Sequence, residues 1–175
     1  MKYIILALLL PFTALQVLAQ NADDRRGAVY FGVGSANTDS EFESDDTPLT
    51  LGYLSLSDSD SFVWGLDISR EGTTLNSTSR KNNEIEQGSS FNLLLGTNLL
   101  QSDNFRTDLS VILGGRKSAE KCPDSFLGYE CYADESPDPS YKFNYGAALT
   151  FNYKSLLIGI RKTGESTQGI IGYRF

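Results

Sequence analysis

The sequence contains no histidine at all among its 175 residues. This absence excludes histidine-dependent catalytic triads, histidine general bases and most zinc sites. Basic residues are also scarce, with 15 Lys and Arg against 22 Asp and Glu. A nucleic-acid-binding protein needs a basic face, so the net charge of −7 argues against a nucleic-acid partner. The mean hydropathy of −0.24 likewise excludes a helical membrane protein.

An apolar stretch occurs at the start of the chain, after Met1 and Lys2. Small residues follow it at the −3 and −1 positions of a cleavage site after Ala19. This pattern predicts a cleaved secretory signal peptide over residues 1–19. The competing interpretation, a membrane anchor, is disfavoured because the stretch is short and contains Pro11. We expect residues 20–26 to form a short segment before one domain over residues 27–175.

Cysteine is nearly absent, and both cysteines lie close together in the sequence. Cys122 and Cys131 are nine positions apart. Since secretion leads to an oxidising compartment, the pair predicts a disulfide. A redox or metal-binding pair is the alternative, but such pairs usually have C-x-x-C spacing and further ligands.

Apolar and polar residues alternate with a period of two along most of the mature chain, and no part shows convincing helical periodicity. The pattern predicts eight strands over 27–36, 48–56, 61–70, a segment from 89, a segment from 105, 141–153, 155–162 and 167–175. The connections alternate as well. Short turns are predicted near 57–60, 101–104 and 153–155, and long loops over 37–47, 71–88 and 118–140, with a short fourth connection at 163–166.

The two faces of the predicted strands differ in character, one being apolar and aromatic and the other rich in Gly, Ser, Asn, Thr and charge. A soluble sandwich or lipocalin-like barrel would place the large apolar side chains inside. Eight strands enclose too little space for them, so we expect the apolar face to lie outside, in a bilayer. A sheet in lipid must close on itself to pair its backbone groups. The sequence therefore predicts an all-β, eight-stranded, antiparallel up-and-down transmembrane β-barrel.

The signal peptide, short turns, long acidic loops and terminal strand resemble the small eight-stranded outer-membrane barrels of Gram-negative bacteria, the OmpA/OmpX-like group. In that family a C-terminal Phe, preceded by apolar residues at alternate positions, is read by the barrel-assembly machinery. Ile171, Tyr173 and Phe175 match this signal. The resemblance implies residence in the outer membrane with both termini periplasmic. It also implies contact with outer-membrane lipid and lipopolysaccharide.

Charged residues on the polar face predict a network inside the barrel. They are Asp67, Arg106, Asp108, Arg116, Arg161 and Arg174. We expect Asp67 and Arg161 at middle to upper heights and Arg106, Asp108 and Arg174 near the periplasmic turns. Ion pairing that fills the lumen is favoured over a gated polar pore, because unpaired buried charge is costly. An acid/base pair of Asp67 and Asp108 is a weaker alternative.

These observations favour a non-enzymatic scaffold that displays acidic loops for envelope integrity or surface interaction. A small channel is the second hypothesis. A lipid-modifying enzyme is the third, because the deacylase and palmitoyltransferase barrels of this family depend on a histidine. The acidic loops favour a solvated, self-repelling surface over a Ca²⁺ or Mg²⁺ site, since they lack a calcium-loop spacing. No cofactor or metal is expected, and the sequence names no extracellular partner.

Overall fold

The computed structural model describes residues 26–37, 46–56, 61–77, 84–118 and 140–175. Eight strands run through these ranges: β1 (Gly27–Ala36), β2 (Leu49–Leu56), β3 (Phe62–Ser77), β4 (Glu84–Ser102), β5 (Phe105–Ser118), β6 (Ser140–Tyr153), β7 (Leu156–Thr163) and β8 (Ser166–Arg174). Each strand pairs antiparallel with the next, and β8 pairs with β1 to close the barrel. The predicted all-β, eight-stranded up-and-down barrel is therefore confirmed. Within the described ranges, no helix is long and apolar enough to cross a membrane.

The ends of the barrel differ in the length of their connections. One end, called the turn end, carries the β2–β3, β4–β5 and β6–β7 links, the last two of which have only two residues. The opposite end, called the loop end, carries the β1–β2, β3–β4, β5–β6 and β7–β8 links. The predicted signal peptide and both cysteines lie outside the described residues, as do most residues of the predicted acidic loops 37–47 and 118–140.

One predicted loop is wrong. Residues 71–88 were expected to form a long connection, but β3 continues to Ser77 and β4 begins at Glu84. The alternation breaks at Gly72, where the register shifts between the Arg70–Ser89 and Thr73–Gln87 pairs. Gly72 has a φ of 74°, a left-handed conformation that glycine adopts without steric cost. A β-bulge at this glycine interrupts the period of two while the strand pairing continues.

The stagger of the strands fixes the size of the lumen. A path of hydrogen-bonded neighbours that starts at Gly27 returns to β1 at Ser35, eight residues further along the strand. It passes through Ser55, Trp64, Leu95, Val111, Ala147, Lys162 and Thr167. Eight strands with a stagger of eight tilt by about 36° and enclose an interior that side chains fill.

Side chains on the strands alternate between the lumen and the exterior, as the period of two predicts. The exterior carries a continuous belt of large apolar residues, among them Leu51, Ile68 and Val111, which are 65, 61 and 51% exposed. Aromatic residues cluster on this surface near the turn end, where Tyr53 and Trp64 meet edge to face with ring centroids 6.2 Å apart. The expected placement of the apolar face on the outside is confirmed.

Candidate functional site: the lumen

The central group in the lumen joins β3 to β7 across the barrel. Arg161 on β7 donates from Nε to Asp67 Oδ2 at 2.9 Å and from Nη2 to Asp67 Oδ1 at 3.2 Å. The same guanidinium donates from Nη1 and Nη2 to the two carboxylate oxygens of Glu71, each at 2.9 Å. All three side chains have no solvent exposure. Two carboxylates therefore share one arginine at the centre of the barrel.

Glu71 accepts six hydrogen bonds, two of them from Arg161. The other donors are Ser90 Oγ at 2.8 Å, Asn144 Nδ2 at 2.8 Å, Thr163 Oγ1 at 2.8 Å and Ser166 Oγ at 2.6 Å. These donors come from β4, β6, β7 and β8. Six donors satisfy the lone pairs of a buried carboxylate in full, which offsets much of its desolvation cost.

Asp67 is held in a similar way by neighbours on β1 and β4. Tyr30 donates its hydroxyl to Asp67 Oδ2 at 2.9 Å, and Asn92 donates from Nδ2 to Oδ1 at 2.6 Å. A chain of hydrogen bonds then runs from Ser69 through Thr50 to Gln168. The Thr50 hydroxyl lies 2.6 Å from the Ser69 hydroxyl and 2.7 Å from Gln168 Oε1. We call this whole group, which reaches from Tyr30 to Gln168, the loop-end network.

The loop-end network spans the cross-section of the lumen. It draws side chains from seven of the eight strands, and β5 contributes Gly114 instead. A Cβ atom on Gly114 would overlap Asn92 Oδ1 and the Phe91 carbonyl. The polar side chains of the network are at most 3% exposed. No open path through this layer remains among the described residues, because the donors and acceptors of opposite walls touch.

An apolar layer lies beneath the network, toward the turn end. The sequence pattern predicted an interior of small and polar residues, but several large aliphatic side chains are also buried inside. They are Leu54, Leu56, Val63, Leu94, Ile112, Leu157 and Ile170, each at most 4% exposed. Glycines on the same inward positions make room for them: Gly65 faces Leu54, and Gly159 faces Ile170. Alternation alone marks the inward positions but does not say which of them carry aliphatic residues.

A second ionic group closes the turn end. Arg106 donates from Nε to Asp108 Oδ1 at 2.7 Å, and both side chains are 1% exposed. Asn98 and Asn152 donate to the two oxygens of Asp108 at 3.0 and 3.1 Å. Arg174, 8% exposed, is on β8 at the same end, where it pairs in register with Ala28.

A third ion pair lies at the opposite mouth. Arg116 on β5 contacts Glu165, in the β7–β8 link, with 2.6 Å between Nη2 and Oε1. Their side chains are 14 and 17% exposed. A Cβ atom on Gly72 would lie 3.1 Å from both of them, so the bulge passes directly beside this pair.

The six predicted lumen charges therefore form separate groups. Asp67 and Arg161 lie together in the loop-end network, whereas Arg106 and Asp108 lie together at the turn end. Arg116 pairs at the mouth with Glu165. Asp67 and Asp108, considered above as an acid/base pair, lie in different groups with the apolar layer between them.

Sequence reasoning missed Glu71, which accepts the most hydrogen bonds in the lumen. The residue was assigned to a loop because Gly72 interrupts the alternation there. An isolated glycine within an alternating pattern is a known sign of a bulge. That sign, together with the alternating residues before it, could have kept Glu71 on an inward strand position.

The three residues of the predicted assembly signal lie along β8 and its end. Ile171 and Tyr173 face outward with exposures of 58 and 44%. The Phe175 backbone exchanges two hydrogen bonds with Gly27 on β1, at 2.8 and 3.1 Å. Recognition of these residues by the assembly machinery stays a prediction.

The pairing and the two faces define the class of this molecule. It is a closed eight-stranded antiparallel β-barrel with an apolar exterior and a filled, largely polar interior.

Three solved structures of a Yersinia pestis protein are similar to this chain. One is the backbone structure of the outer membrane protein Ail in a phospholipid bilayer nanodisc, at 14% identity and a TM-score of 0.48, covering 87% of this chain and 100% of that chain. The crystal structure of Ail, the attachment invasion locus protein, has 20% identity and a TM-score of 0.39, with 87 and 99% covered. Ail in complex with the heparin analogue sucrose octasulfate has 18% identity and a TM-score of 0.39, with 87 and 98% covered. No protein-family model and no curated protein matches the sequence.

Proposed function

We propose that this chain is a non-enzymatic scaffold of the bacterial outer membrane, in which a closed barrel holds acidic segments at the cell surface. The observation that carries the proposal is the combination of an apolar exterior with a lumen blocked by the loop-end network. The apolar exterior is favourable in lipid, and the described residues of the lumen leave no open path for solutes.

The exterior supports residence in a bilayer. Outward residues in the belt around the barrel are mostly apolar or aromatic, including Val33, Leu93 and Ile158, which are 48, 38 and 47% exposed. In water such a belt would be a large apolar patch of the kind that soluble monomers avoid. In lipid the same belt is favourable. Because β8 pairs with β1, the sheet closes on itself there and presents no open strand edge to the lipid.

The interior supports a scaffold over a channel. Three layers occupy the lumen in sequence: the loop-end network, the apolar layer and the Arg106–Asp108 pair. A pore would require a continuous wetted path, and each of the three layers opposes one. The carboxylates are also enclosed, so a lipid substrate could not reach them from the membrane.

The unequal height of the walls supports display at the loop end. Pairing of β2 with β3 ends at Leu49 and Arg70, whereas β3 and β4 pair as far as Ser77 and Glu84. Similarly, the pairing of β6 with β7 ends at Gly146, whereas the pairing of β5 with β6 extends to Ser118 and Ser140. The sheet formed by β3 to β6 therefore extends further than the opposite wall. It carries the segments that precede and follow 119–139, a stretch rich in Asp and Glu.

Single-channel recording tests the closed barrel. The mature chain, folded into a planar bilayer, should give no discrete conductance steps. Insertion must be shown independently by slower or faster gel migration of the unboiled protein relative to the boiled one. Reproducible steps from inserted protein would overturn the scaffold and support the channel.

Cell fractionation tests the location. The full-length chain should sediment with the outer membrane and become accessible to surface protease only at the loop end. Recovery from the soluble periplasm would contradict the proposal. Mass spectrometry of lipid A from the same cells should show unchanged acyl chains, and a change that depends on this protein would instead identify an enzyme.

A further inference from the structure

The outer face of β4, β5 and β6 has a gap in its apolar belt. Gly115 on β5 is flanked in register by Phe91 on β4 and by Phe143 on β6. A Cβ atom on Gly115 would meet nothing within 4 Å, so the gap is open to the exterior. Phe91 and Phe143 are 57 and 67% exposed. Neighbouring strands are about 4.8 Å apart, so the backbones that carry the two aromatic residues lie roughly 10 Å apart, with Gly115 between them.

Both walls of this slot continue onto neighbouring outward residues. Phe143 stacks on Tyr145, two positions along β6, with ring centroids 6.2 Å apart and an interplanar angle of 19°. On the other side, Phe91 is paired with Ile68 of β3. Below the floor, Leu113 continues the apolar surface of β5 between Leu93 and Tyr145. The slot thus runs down the sheet into the lipid-facing belt.

Cations and hydroxyl groups lie directly above the slot, toward the loop end. The next outward position on each strand carries, in order from β3 to β6, Arg70, Ser89, Lys117 and Tyr141. Arg70 pairs in register with Ser89, and Lys117 with Tyr141. Neither Arg70 nor Lys117 forms an ion pair with any part of the chain that the structure describes. The row spans three strand spacings, or about 14 Å.

We propose that this slot and the row above it bind a diphosphorylated, multiply acylated saccharolipid of the outer leaflet, the lipid A part of lipopolysaccharide. An acyl chain occupies the floor at Gly115 between Phe91 and Phe143. The phosphates face Arg70 and Lys117, and the sugar hydroxyls face Ser89 and Tyr141. This inference rests on the proposed location in the outer membrane, because only there does the loop-end half of the belt meet such a lipid.

The width of the row selects this class of lipid over a glycerophospholipid. A phosphodiester is one compact anion, and one cation suffices to bind it. Here two cations stand two strands apart, roughly 10 Å, with a hydroxyl between them. A phosphorylated disaccharide offers two anions and several hydroxyls over a comparable width. An open apolar slot beneath the cations suits acyl chains that enter the membrane directly below the sugars.

Pairs of matched variants distinguish binding at this site from non-specific binding of lipid to the outer surface of the barrel. Gly115→Leu fills the slot, and Lys117→Gln removes one cation above it. Gly169→Leu is the control for the first, because Gly169 also faces outward on β8 with only the Val33 carbonyl, at 3.9 Å, near its added Cβ. Lys162→Gln is the control for the second, because Lys162 faces outward on β7 beside Ala147 and Thr167, where no aromatic residue flanks it in register.

The measurement is lipid retention by the folded full-length chain in zwitterionic micelles, counted by native mass spectrometry. The probes are diphosphorylated lipid A, its dephosphorylated form and phosphatidylglycerol. The wild-type chain should prefer diphosphorylated lipid A over both other lipids. Lys117→Gln should lower that affinity about fivefold, as expected for one cation at an anionic surface. Gly115→Leu should abolish the preference, and both control variants should retain it.

Three outcomes would overturn the inference. Equal retention of phosphorylated and dephosphorylated lipid A would remove the role of the cations. Equal effects of Gly115→Leu and Gly169→Leu would remove the role of the slot. A stronger preference for phosphatidylglycerol would assign the row to ordinary phospholipid. In each case the unboiled gel mobility and the membrane fractionation report separately whether the scaffold proposal stands.

Discussion

Glu71 and Arg161 form two hydrogen bonds of 2.9 Å each across the lumen, and neither side chain is exposed to solvent. Glu71 stands next to the one bulge glycine of β3, Gly72, while Arg161 stands on the short strand β7 opposite. Their contact links β3, which belongs to the part of the sheet that extends further at the loop end, to β7 in the opposite wall. Its integrity should therefore determine how stably the loop end is closed.

Glu71→Gln should destabilise the folded barrel by about 3–5 kcal/mol. The substitution keeps the size of the side chain but leaves Arg161 with one buried carboxylate, and the new NH2 group faces donors at the place of an acceptor oxygen. Urea-induced unfolding in lipid vesicles measures the loss. Glu165→Gln, at the partly exposed mouth pair, is the control and should cost no more than about 1 kcal/mol. Equal losses for the two variants would contradict the central role of Glu71.

Tyr30→Phe should cost about 1.5–3 kcal/mol, because it removes the hydroxyl that donates to the buried Asp67 carboxylate at 2.9 Å. The ring itself remains in place beside Gly52. The same unfolding assay applies, with Tyr53→Phe as the control on the outer face. Tyr53 makes no side-chain hydrogen bond within the described residues, so its variant should unfold like the wild type. An unchanged free energy of unfolding for Tyr30→Phe would contradict a stabilising role of this hydrogen bond.

Gly114→Ala should destabilise the barrel by roughly 1–3 kcal/mol through overpacking. Its added methyl group meets the Asn92 side chain and backbone atoms of β4, which cannot move away. Gly115→Ala is the adjacent control, since an added methyl group there meets nothing within 4 Å. The two variants differ by one position and by the face of the sheet. Similar stabilities would mean that the network adjusts more freely than its contacts imply.

Leu94→Ala should cost about 2–5 kcal/mol by opening a cavity in the apolar layer. Leu93→Ala removes the same atoms from the lipid-facing side, where lipid fills the space, and should cost much less. Planar-bilayer recording of Leu94→Ala should stay quiet, because the loop-end network above the cavity is intact. Conductance steps in this variant would show that the apolar layer, and not the loop-end network, blocks ion flow through the lumen.

The fold could be predicted from the sequence because its signal is repeated on every strand. Eight alternating segments, with large residues such as Phe31 and Trp64 on one face, leave few arrangements that bury one face and pair all backbone groups. Strand ends were predicted well where a short turn follows, as at Tyr153, and poorly where the alternation changes phase. The error at β3 and β4 began at Gly72, whose bulge shifts the period without ending the strand, and a second register shift follows between Leu75 and Ser77.

The lumen could be predicted only in part. Alternation places Asp67, Arg106 and Arg161 on the inward face, but it does not say which of them meet. The partners depend on the stagger of eight residues, which the sequence does not encode in any local pattern. Glu71 therefore escaped notice, and its contacts with Thr163 and Ser166, more than 90 positions away, could be found only in the closed barrel.

The seam between β1 and β8 has a consequence for how the molecule is made. Nine register positions, from Ala28–Arg174 to Ala36–Ser166, join strands at the two ends of the barrel domain. Contacts between residues so distant in sequence form late, since a large loop must close before they contribute. The ring cannot close until β8 has been synthesised, because β8 is the strand that pairs with β1. Ser166 on β8 can donate to Glu71 only once β8 is in place, which couples full satisfaction of this buried carboxylate to completion of the barrel.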